Sequence, residues 1–525
     1  MEKRVFLREA TGLTKELSFF DALSVSLSYT CPGFGILLYT FYGPSTFPGV
    51  NLLVALALMA AFLLIYAVSA GQMMAVMPRS GFDYVFVSRV TRPVIGFSSS
   101  FLFFAFLSIL TGGFYTFISS ALSNYFTSLG LVTGNNGLSA VGGTLLQPVS
   151  IIIIGTLLNA LIVGITLGGL KVGKMAIIIM ELIGWASLVV ALAIIASNSQ
   201  QAFSSAWNNY VGGQLTYSSA AARAQNAGLT YMSGGGALLA ATFWTFFSIF
   251  GFQGVGYMGG EIKRAQTTII KAMVTALLVT VFVTAIAVVI IQNTMGYDFL
   301  ASASYLNIIG SVAVSPYYLL AASLLFPNTA IVSLMYIGLF LWVLVTIYGN
   351  FLAMTRTLFA WSFDRVVPTF FANVSEKYHS PTWSIVTIGL LLEVGVFISQ
   401  YTLFGTFANL GLMFIIISGI SSLATALLPW LRPELFKSAP KFVSYKIGGA
   451  IPVVTLTGGA ASAFFWILVY EAFVNPALTG SVTWLTVVTL VSAAALGAII
   501  YTVSKVRLRS QGIDLGLVFK EIPPD

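Results

Sequence analysis

Two runs rich in glycine and proline interrupt long apolar stretches of this 525-residue chain. The first reads Ser28-Tyr29-Thr30-Cys31-Pro32-Gly33-Phe34-Gly35, and the second reads Gly251-Phe252-Gln253-Gly254-Val255-Gly256. Unpaired peptide groups that face lipid each cost several kcal/mol, so non-helical backbone persists at that depth only inside protein or beside a cavity. Paired breaks in the two halves of a membrane protein are typical of a transporter's binding site.

Each break can bind charge without a charged side chain. A helix that stops and restarts exposes about four N–H groups and about four C=O groups. The N–H ends attract carboxylates and the C=O ends attract cations. We therefore expect the amides around Gly33 and Gly35 to bind the carboxylate of a zwitterionic amino acid. The carbonyl groups expected to bind its ammonium are those around Ser28, Tyr29, Phe250 and Gly251.

The predicted substrate site combines the two breaks with aromatic and small neighbours. It comprises Ser28, Tyr29, Cys31, Gly33, Phe34, Gly35, Tyr115, Phe247, Phe250, Gly251, Phe252 and Gly254, with Trp244 as a further wall residue. Aromatic walls favour neutral or apolar substrate side chains, although each ring could instead serve helix packing alone. Phe247 is the predicted gate because it lies one turn before the second break.

Composition indicates an all-α integral membrane protein. Hydrophobic residues make up 58% of the chain and charged residues only 8%, whereas soluble domains carry about 25% charged residues. The single cysteine, Cys31, and the single histidine, His379, offer no cluster for a metal or haem. We therefore expect no cofactor, no metal and no enzymatic activity.

Apolar runs of about 20 residues, the length needed to cross the hydrocarbon core, predict twelve transmembrane helices. They cover residues 18–42, 51–77, 95–127, 148–169, 175–197, 236–260, 269–293, 329–361, 382–400, 402–428, 449–473 and 481–504. With this count, all of the 24 basic residues except Arg223 fall on one side. The positive-inside rule then places both termini in the cytoplasm of a plasma-membrane protein. The same segregation explains the net charge of +8 without a nucleic-acid partner.

The positions of the breaks predict an inverted repeat. They lie in helices 1 and 6, and a repeat of five spans is inverted relative to the first because five is odd. The predicted organisation has an N-terminal segment at 1–17, repeats at 18–197 and 236–428, and an extracellular loop at 198–235. A cytoplasmic loop at 429–448, two extra helices within 449–504 and a tail at 505–525 complete it. The tail from Arg509 carries no motif and is expected to lack fixed structure.

Ionisable or polar residues within the spans are candidates for ion coupling. Glu181 in helix 5 could carry a proton, or it could simply pair with Lys174, seven residues earlier on the same face. Glu393 in helix 9 is predicted to have a packing role or to be protonated. Helix 8 offers Thr346 and Asn350 as oxygen ligands but no adjacent Ser/Thr pair, so a proton is favoured over sodium.

Several motifs resemble those of the amino acid permeases of the amino acid–polyamine–organocation superfamily. The segments that carry the resemblance are Phe246 to Gln253, Gly259-Gly260-Glu261-Ile262-Lys263, Met77 to Tyr84, Thr355 to Pro368, and His379-Ser380-Pro381-Thr382. The resemblance implies a five-plus-five inverted repeat, alternating access, and a role for Glu261 and Arg356 at the inner side. Gln253 departs from the family pattern, which has Glu there.

The leading functional hypothesis is secondary transport of neutral or apolar amino acids by proton symport or exchange, with Glu181, Glu261, Thr346 and Asn350 as coupling candidates. One alternative keeps the fold but transports an amine, a polyamine or a nucleobase. Polycations would want carboxylates in the pocket, and the breaks contain none. Another alternative is a receptor that binds an amino acid without moving it.

Overall fold

The computed structural model of the protein describes residues 15–375, 380–402, 407–475 and 484–520, with the side chains of 407–410 left out. His379, Lys377 and the basic residues before Lys15 lie outside these ranges. So do residues 403–406 and 481–483, which belong to the predicted tenth and twelfth spans.

The described chain is almost entirely helical. In chain order the helices are α1 (Phe19–Thr30), α2 (Pro32–Thr46), α3 (Leu52–Val76), α4 (Asp83–Val90), α5 (Pro93–Thr133), α6 (Asn136–Thr144), α7 (Pro148–Leu167), α8 (Leu170–Ala196), α9 (Gln200–Val211), α10 (Ala220–Asn226), α11 (Gly235–Ile249), α12 (Ala265–Met295), α13 (Tyr297–Ile308), α14 (Tyr318–Leu325), α15 (Thr329–Phe363), α16 (Thr382–Tyr401), α17 (Phe407–Leu431), α18 (Pro433–Ser438), α19 (Lys441–Ser444), α20 (Val453–Val474), α21 (Trp484–Ser510) and α22 (Leu515–Val518). A two-stranded antiparallel hairpin, β1 (Lys446–Ile447) with β2 (Ile451–Pro452), precedes α20.

Eleven segments of the described chain are long and apolar enough to cross a membrane. They are α1 with α2 taken together, α3, α5, α7, α8, α12, α15, α16, α17, α20 and α21. Helix α11, in the predicted sixth span, is apolar but only 15 residues long. The chain after it forms two short 3-10 turns, Phe252–Tyr257 and Gly259–Glu261, where the sequence predicted the second half of a membrane helix.

The interrupted helices lie at the centre of the fold. Helix α1 packs against α12, α15 and the first 3-10 turn, and α11 packs against α2 and α3. The long helices α15 and α5 pack against each other, with α8 on α15 and α16 on α5. Helix α20 packs on α17, and the final long helix α21 packs along α5. The breaks are therefore enclosed by protein rather than exposed to lipid.

The described part of the predicted tail, Arg509 to Lys520, folds onto the rest of the molecule, whereas the sequence predicted no fixed structure there. Residues 521–525 lie outside the described ranges. Helix α21 continues to Ser510, and Asp514 caps the one-turn helix α22 by accepting from the Gly516 amide at 2.8 Å. Leu515, Val518 and Phe519 are buried against the rest of the molecule. Composition misled here because the buried apolar residues are few and interspersed with polar ones.

Candidate functional site

The first break is a single residue wide. Cys31 adopts the left-handed conformation (φ 50°, ψ 63°), and Pro32 then begins α2. Pro32 has no N–H to donate, so the Ser28 carbonyl instead accepts the Thr346 hydroxyl at 3.1 Å. The break is narrower than residues 28–35, because residues 32–35 already belong to a helix.

This geometry changes which amides are free. The Gly35 amide donates to the Cys31 carbonyl at 2.9 Å and is therefore used within the helix. Among the described residues, the amides of Gly33 and Phe34 have no backbone acceptor, although the Phe34 amide lies close to the Cys31 sulfur. The positive pole of α2 therefore consists of the Gly33 and Phe34 amides rather than those of Gly33 and Gly35.

The second break is longer and depends on a glycine. Helix α11 ends at Ile249, Phe250 is extended, and Gly251 takes φ 122°, a conformation open only to glycine at ordinary cost. Phe250 donates to the Phe246 carbonyl, which closes the helix. The Phe247 and Ser248 carbonyls beyond it receive no backbone donor within the described chain.

The two breaks contact each other through their backbones. A Cβ built on Gly35 would overlap the Ser248 carbonyl oxygen, and one built on Gly251 would overlap the Tyr29 carbonyl oxygen. Gly254 leaves room for the Tyr29 ring in the same way. The chain thus brings the N-terminal end of α2 against the C-terminal end of α11, so amides and carbonyls meet at one place.

A cavity of about 390 Å³ opens at this meeting point. It is lined by Tyr29, Thr30, Cys31, Phe34, Gly35, Leu38, Tyr42, Phe103, Leu110, Phe114, Phe117, Trp244, Phe246, Phe247, Ser248, Phe250, Gly251, Gln253, Gly254, Tyr257, Thr346, Asn350, Gly411 and Phe414. None of these described lining residues is Asp, Glu, Lys or Arg. The lining therefore offers a ligand only the partial charges of peptide groups and of neutral polar side chains.

Eight of the predicted substrate residues line the cavity, namely Tyr29, Cys31, Phe34, Gly35, Phe247, Phe250, Gly251 and Gly254. Four do not. Ser28 turns its hydroxyl to the Val25 carbonyl at 2.7 Å, and Gly33 packs under the Trp342 ring. Tyr115 is fully buried on the face of α5 toward Gly155, and Phe252 packs beside Tyr66.

Sequence reasoning predicted none of the residues that α5 contributes to the wall. Phe103, Leu110, Phe114 and Phe117 follow one another at intervals of seven, four and three residues, so they share one helix face. Periodicity could have found this face, but it could not have said that the face meets a cavity rather than another helix. Gly411 and Phe414 of α17 were missed for the same reason.

The coupling candidates fall into three places. Thr346 and Asn350 line the cavity. Glu181 is buried in α8 within reach of Ser24, and its Oε1 has no hydrogen-bond partner in the described chain. The alternative pairing with Lys174 is wrong, because the Lys174 ammonium contacts the Asp21 carboxylate at 3.5 Å instead.

Glu261 forms a buried ion pair outside the cavity. Its Oε1 accepts a hydrogen bond from Arg356 Nε at 3.0 Å and lies 2.9 Å from Nη2, and both side chains are nearly fully buried. The Glu261 carbonyl accepts the amides of Glu16 and Leu17, each at 3.0 Å. We call the side of the molecule that carries this pair and the segment before α1 the basic side. These contacts join α15, the turns after the second break and the segment before α1 on the basic side.

A polar cluster around the Glu393 carboxylate, between α7 and α16, lies apart from the site. Glu393 accepts the Thr156 hydroxyl at one oxygen and the Asn159 amide, at 3.1 Å, at the other. Asn159 also donates to the Gly389 carbonyl at 2.8 Å. The cluster joins α7 to α16, which fits the packing role predicted for Glu393.

Comparison with known families gives an assignment that agrees with this geometry. The family model described as amino acid permease matches residues 28–512, which include both breaks and the residues of the buried ion pair. The comparison with curated proteins found no match. That family consists of transporters rather than enzymes. The chain therefore belongs to the amino acid permease family, and it is a multi-pass membrane protein.

Proposed function

We propose that the protein transports neutral or apolar amino acids across the cell membrane by alternating access, with proton symport or exchange. The observation that carries this proposal is the meeting of two helix breaks at a cavity without ionised side chains. Both termini would lie in the cytoplasm, as the distribution of basic residues predicts.

The ends of a zwitterion fit the two poles of the site. Gly33 does not line the cavity, but its amide and that of Phe34 lie at the N-terminal end of α2, which lines the cavity from Phe34 onward. This end carries partial positive charge and would bind the carboxylate. The carbonyls of Phe247 and Ser248, together with that of Tyr29, would bind the ammonium. Because these ligands are peptide groups, they recognise the part of the substrate that all α-amino acids share.

The rest of the cavity would select the substrate side chain. Phe34 contacts Phe114 and Phe117 edge to face, with ring centroids 6.4 Å and 4.9 Å away. Trp244 and Phe247 face the same space. A charged side chain would lose its hydration here without gaining a counter-ion, so neutral and apolar side chains are favoured.

Opposite movements on the two sides would give alternating access. The Glu261–Arg356 pair and the segment around Leu17 would separate when the cavity opens toward the basic side. Phe247 would act as the gate on the opposite side, because its ring lines the cavity and packs against Gly411 of α17. Helix breaks allow such motion because few backbone hydrogen bonds cross them.

Proteoliposome uptake tests the proposal. Protein reconstituted without other proteins should accumulate a labelled apolar amino acid such as leucine, faster with an inward proton gradient. Empty liposomes serve as one control. Proteoliposomes whose proton gradient has been collapsed with a protonophore serve as the other. Binding without uptake would support the receptor alternative. Uptake restricted to amines, polyamines or nucleobases would overturn the amino acid assignment.

A further inference from the structure

One of the buried carboxyls lies outside the long membrane helices and next to the substrate cavity. Asp83 is the first residue of α4, in the connection between α3 and α5, and only 2% of it is exposed. The backbone before it is unusual, since Phe82 has φ 44° and Gly81 has φ 99°. A bulky residue at positive φ costs free energy and persists only where surrounding structure holds it. This turn directs Asp83 into the protein.

The carboxyl of Asp83 is only half satisfied. The Tyr257 hydroxyl donates to Oδ1 at 3.1 Å, whereas Oδ2 has no hydrogen-bond partner in the described chain. The amide oxygen of Gln253 is likewise buried without a donor. Unpaired buried acceptors are costly, so both oxygens favour the arrival of a proton or another donor.

Both acceptors border one small cavity of about 10 Å³, close to the volume of a single water probe. Tyr66, Ser418 and Ser421 also border it. Gln253 and Tyr257 line this small cavity and the substrate cavity alike. With Phe103 and Phe414, which also line both cavities, they form the wall that separates Asp83 from the substrate; Gln253 and Tyr257 are its polar members.

We propose that Asp83 is the group that binds and releases the transported proton, an inference that rests on the transport function proposed above. A proton that enters through the substrate cavity passes the Gln253–Tyr257 wall and adds to Oδ2, which converts the carboxylate to a carboxylic acid. When the contacts on the basic side open, the same O–H bond breaks and the proton leaves to water. No other bond changes.

The surroundings of Asp83 suit this role. Among the described residues, the titratable groups that face it are Tyr66 from α3 and Tyr257. Both are phenols, which carry no charge at ordinary pH. Burial raises the pKa of Asp83 to about 6, against the opposing hydrogen bonds from Tyr257 and the neighbouring amides. Glu261 is neutralised by Arg356, and Glu181 borders neither of the two cavities.

The test compares driven accumulation with exchange in proteoliposomes. One proton per substrate across one pH unit supports up to about tenfold accumulation. We expect Asp83→Asn to lose this accumulation and give a ratio near one, while exchange of labelled for unlabelled amino acid continues. Asp298→Asn is the matched control, because Asp298 also accepts a tyrosine hydroxyl but is exposed.

Two further variants make the result decisive. Tyr257→Phe removes a hydrogen bond that favours the charged form of Asp83, so the pH midpoint of uptake should move upward. Glu181→Gln should keep driven accumulation. Accumulation by Asp83→Asn, or its loss only in Glu181→Gln, would overturn the inference. A wild-type protein that moves no amino acid would instead refute the proposed function. Accumulation that follows a sodium gradient would exclude the proton.

Discussion

Cys31 and Gly251 break their helices by different backbone conformations. Cys31 enters the left-handed region, and Pro32 then removes the amide that would have continued the hydrogen-bond ladder. Gly251 has φ 122°, which a side chain would make strained, and it lies against the Tyr29 carbonyl. Cysteine can occupy the first break because the left-handed region costs it only a moderate conformational free energy. The conformation at the second break requires glycine.

Gly35 should tolerate no side chain. A methyl group there would overlap the Ser248 carbonyl oxygen, which is backbone and cannot move as a side chain would. We expect Gly35→Ala to cost about 1–3 kcal/mol of stability, as other overpacked sites do, and to abolish uptake. Thermal unfolding in detergent and liposome uptake measure the two effects.

Gly164→Ala is the control for that substitution, because a Cβ at Gly164 in α7 would meet no atom within 4 Å. It should leave uptake unchanged and keep or raise stability, since alanine is the better helix former. Normal uptake by Gly35→Ala would show that the two breaks are not held as close as the structure has them.

Residue types revealed the breaks but not every orientation around them. The glycine and proline residues that mark them have a direct backbone consequence, so they can be read from sequence. Tyr115 was predicted in the wall because it is a large ring in helix 3, yet it packs toward Gly155. To choose the face of α5 that meets the cavity, one must know which element packs on each face of the helix. A single sequence does not contain that information.

At the level of elements, the two breaks differ more than the sequence suggested. The first is a single left-handed residue between two α-helices. The second is followed by 3-10 turns that reach Glu261. Three glycines in the stretch from Gly251 to Gly256 weaken any helix there, and tight packing against Tyr29 and Phe82 compensates. Composition predicted an interruption but not its length.

Breaking the buried Glu261–Arg356 ion pair, which follows the second break, should be strongly destabilising. Glu261→Gln leaves the Arg356 guanidinium buried without its counter-charge, which typically costs about 3–5 kcal/mol. We expect a lower melting temperature and a basic side that opens more readily, seen as faster modification of a cysteine introduced at Leu17. Lys174→Gln is the control, because it breaks a longer, partly exposed pair that contributes less than about 1 kcal/mol.

The double variant Glu261→Gln, Arg356→Gln removes both charges of the pair. It should recover part of the stability lost in the single variant, because no unpaired charge remains. Equal melting temperatures for wild type and Glu261→Gln would contradict a closing role for this pair.

The segment of residues 513–520 is a second stabilising element on the same side. The Phe519 ring is 2% exposed and lies under the Arg89 guanidinium, 5.0 Å from ring centroid to Cζ. Arg89 in turn donates from Nη2 to both carboxylate oxygens of Asp364, at 2.7 Å and 2.9 Å. The tail thus covers an ion pair that joins α4 to the end of α15.

Phe519→Ala should loosen the tail. Loss of a buried phenylalanine side chain costs about 3 kcal/mol or more where the site is well packed, so amides of residues 513–520 should exchange with deuterium markedly faster. Leu517→Ala is the control in the same segment, because Leu517 is 52% exposed. Equal exchange in both variants would mean that Phe519 does not anchor the tail.

At the scale of the whole molecule, three connections meet on the basic side. The segment before α1 is held by the Glu261 carbonyl, the connection after α3 pairs with Met258 through Ser80, and Arg356 reaches from α15. The sequence predicted that the basic residues lie on one side. Its resemblance to the permease family implied a role for Glu261 and Arg356 there. It did not reveal that Asp83 is buried among these connections, because an acid in a polar loop normally faces water.

This arrangement makes the stability of the closed molecule depend on pH. The pKa of Asp83 rises on burial from its ordinary 3.8 to about 6, so the folded state binds this proton more tightly than the unfolded state. The resulting stabilisation is complete below about pH 4 and is lost as pH rises through about 6. Asp83→Asn should therefore show a smaller fall in melting temperature between pH 4 and pH 7 than wild type. An unchanged slope would show that Asp83 does not titrate in this range.

The central claim is that peptide groups at two helix breaks bind the substrate, and a structure with a bound amino acid tests it most directly. The account predicts the carboxylate within about 3.2 Å of the Gly33 and Phe34 amides, with the ammonium at the carbonyls that end α1 and α11. An amino acid bound elsewhere, or held through an ionised side chain, would contradict it.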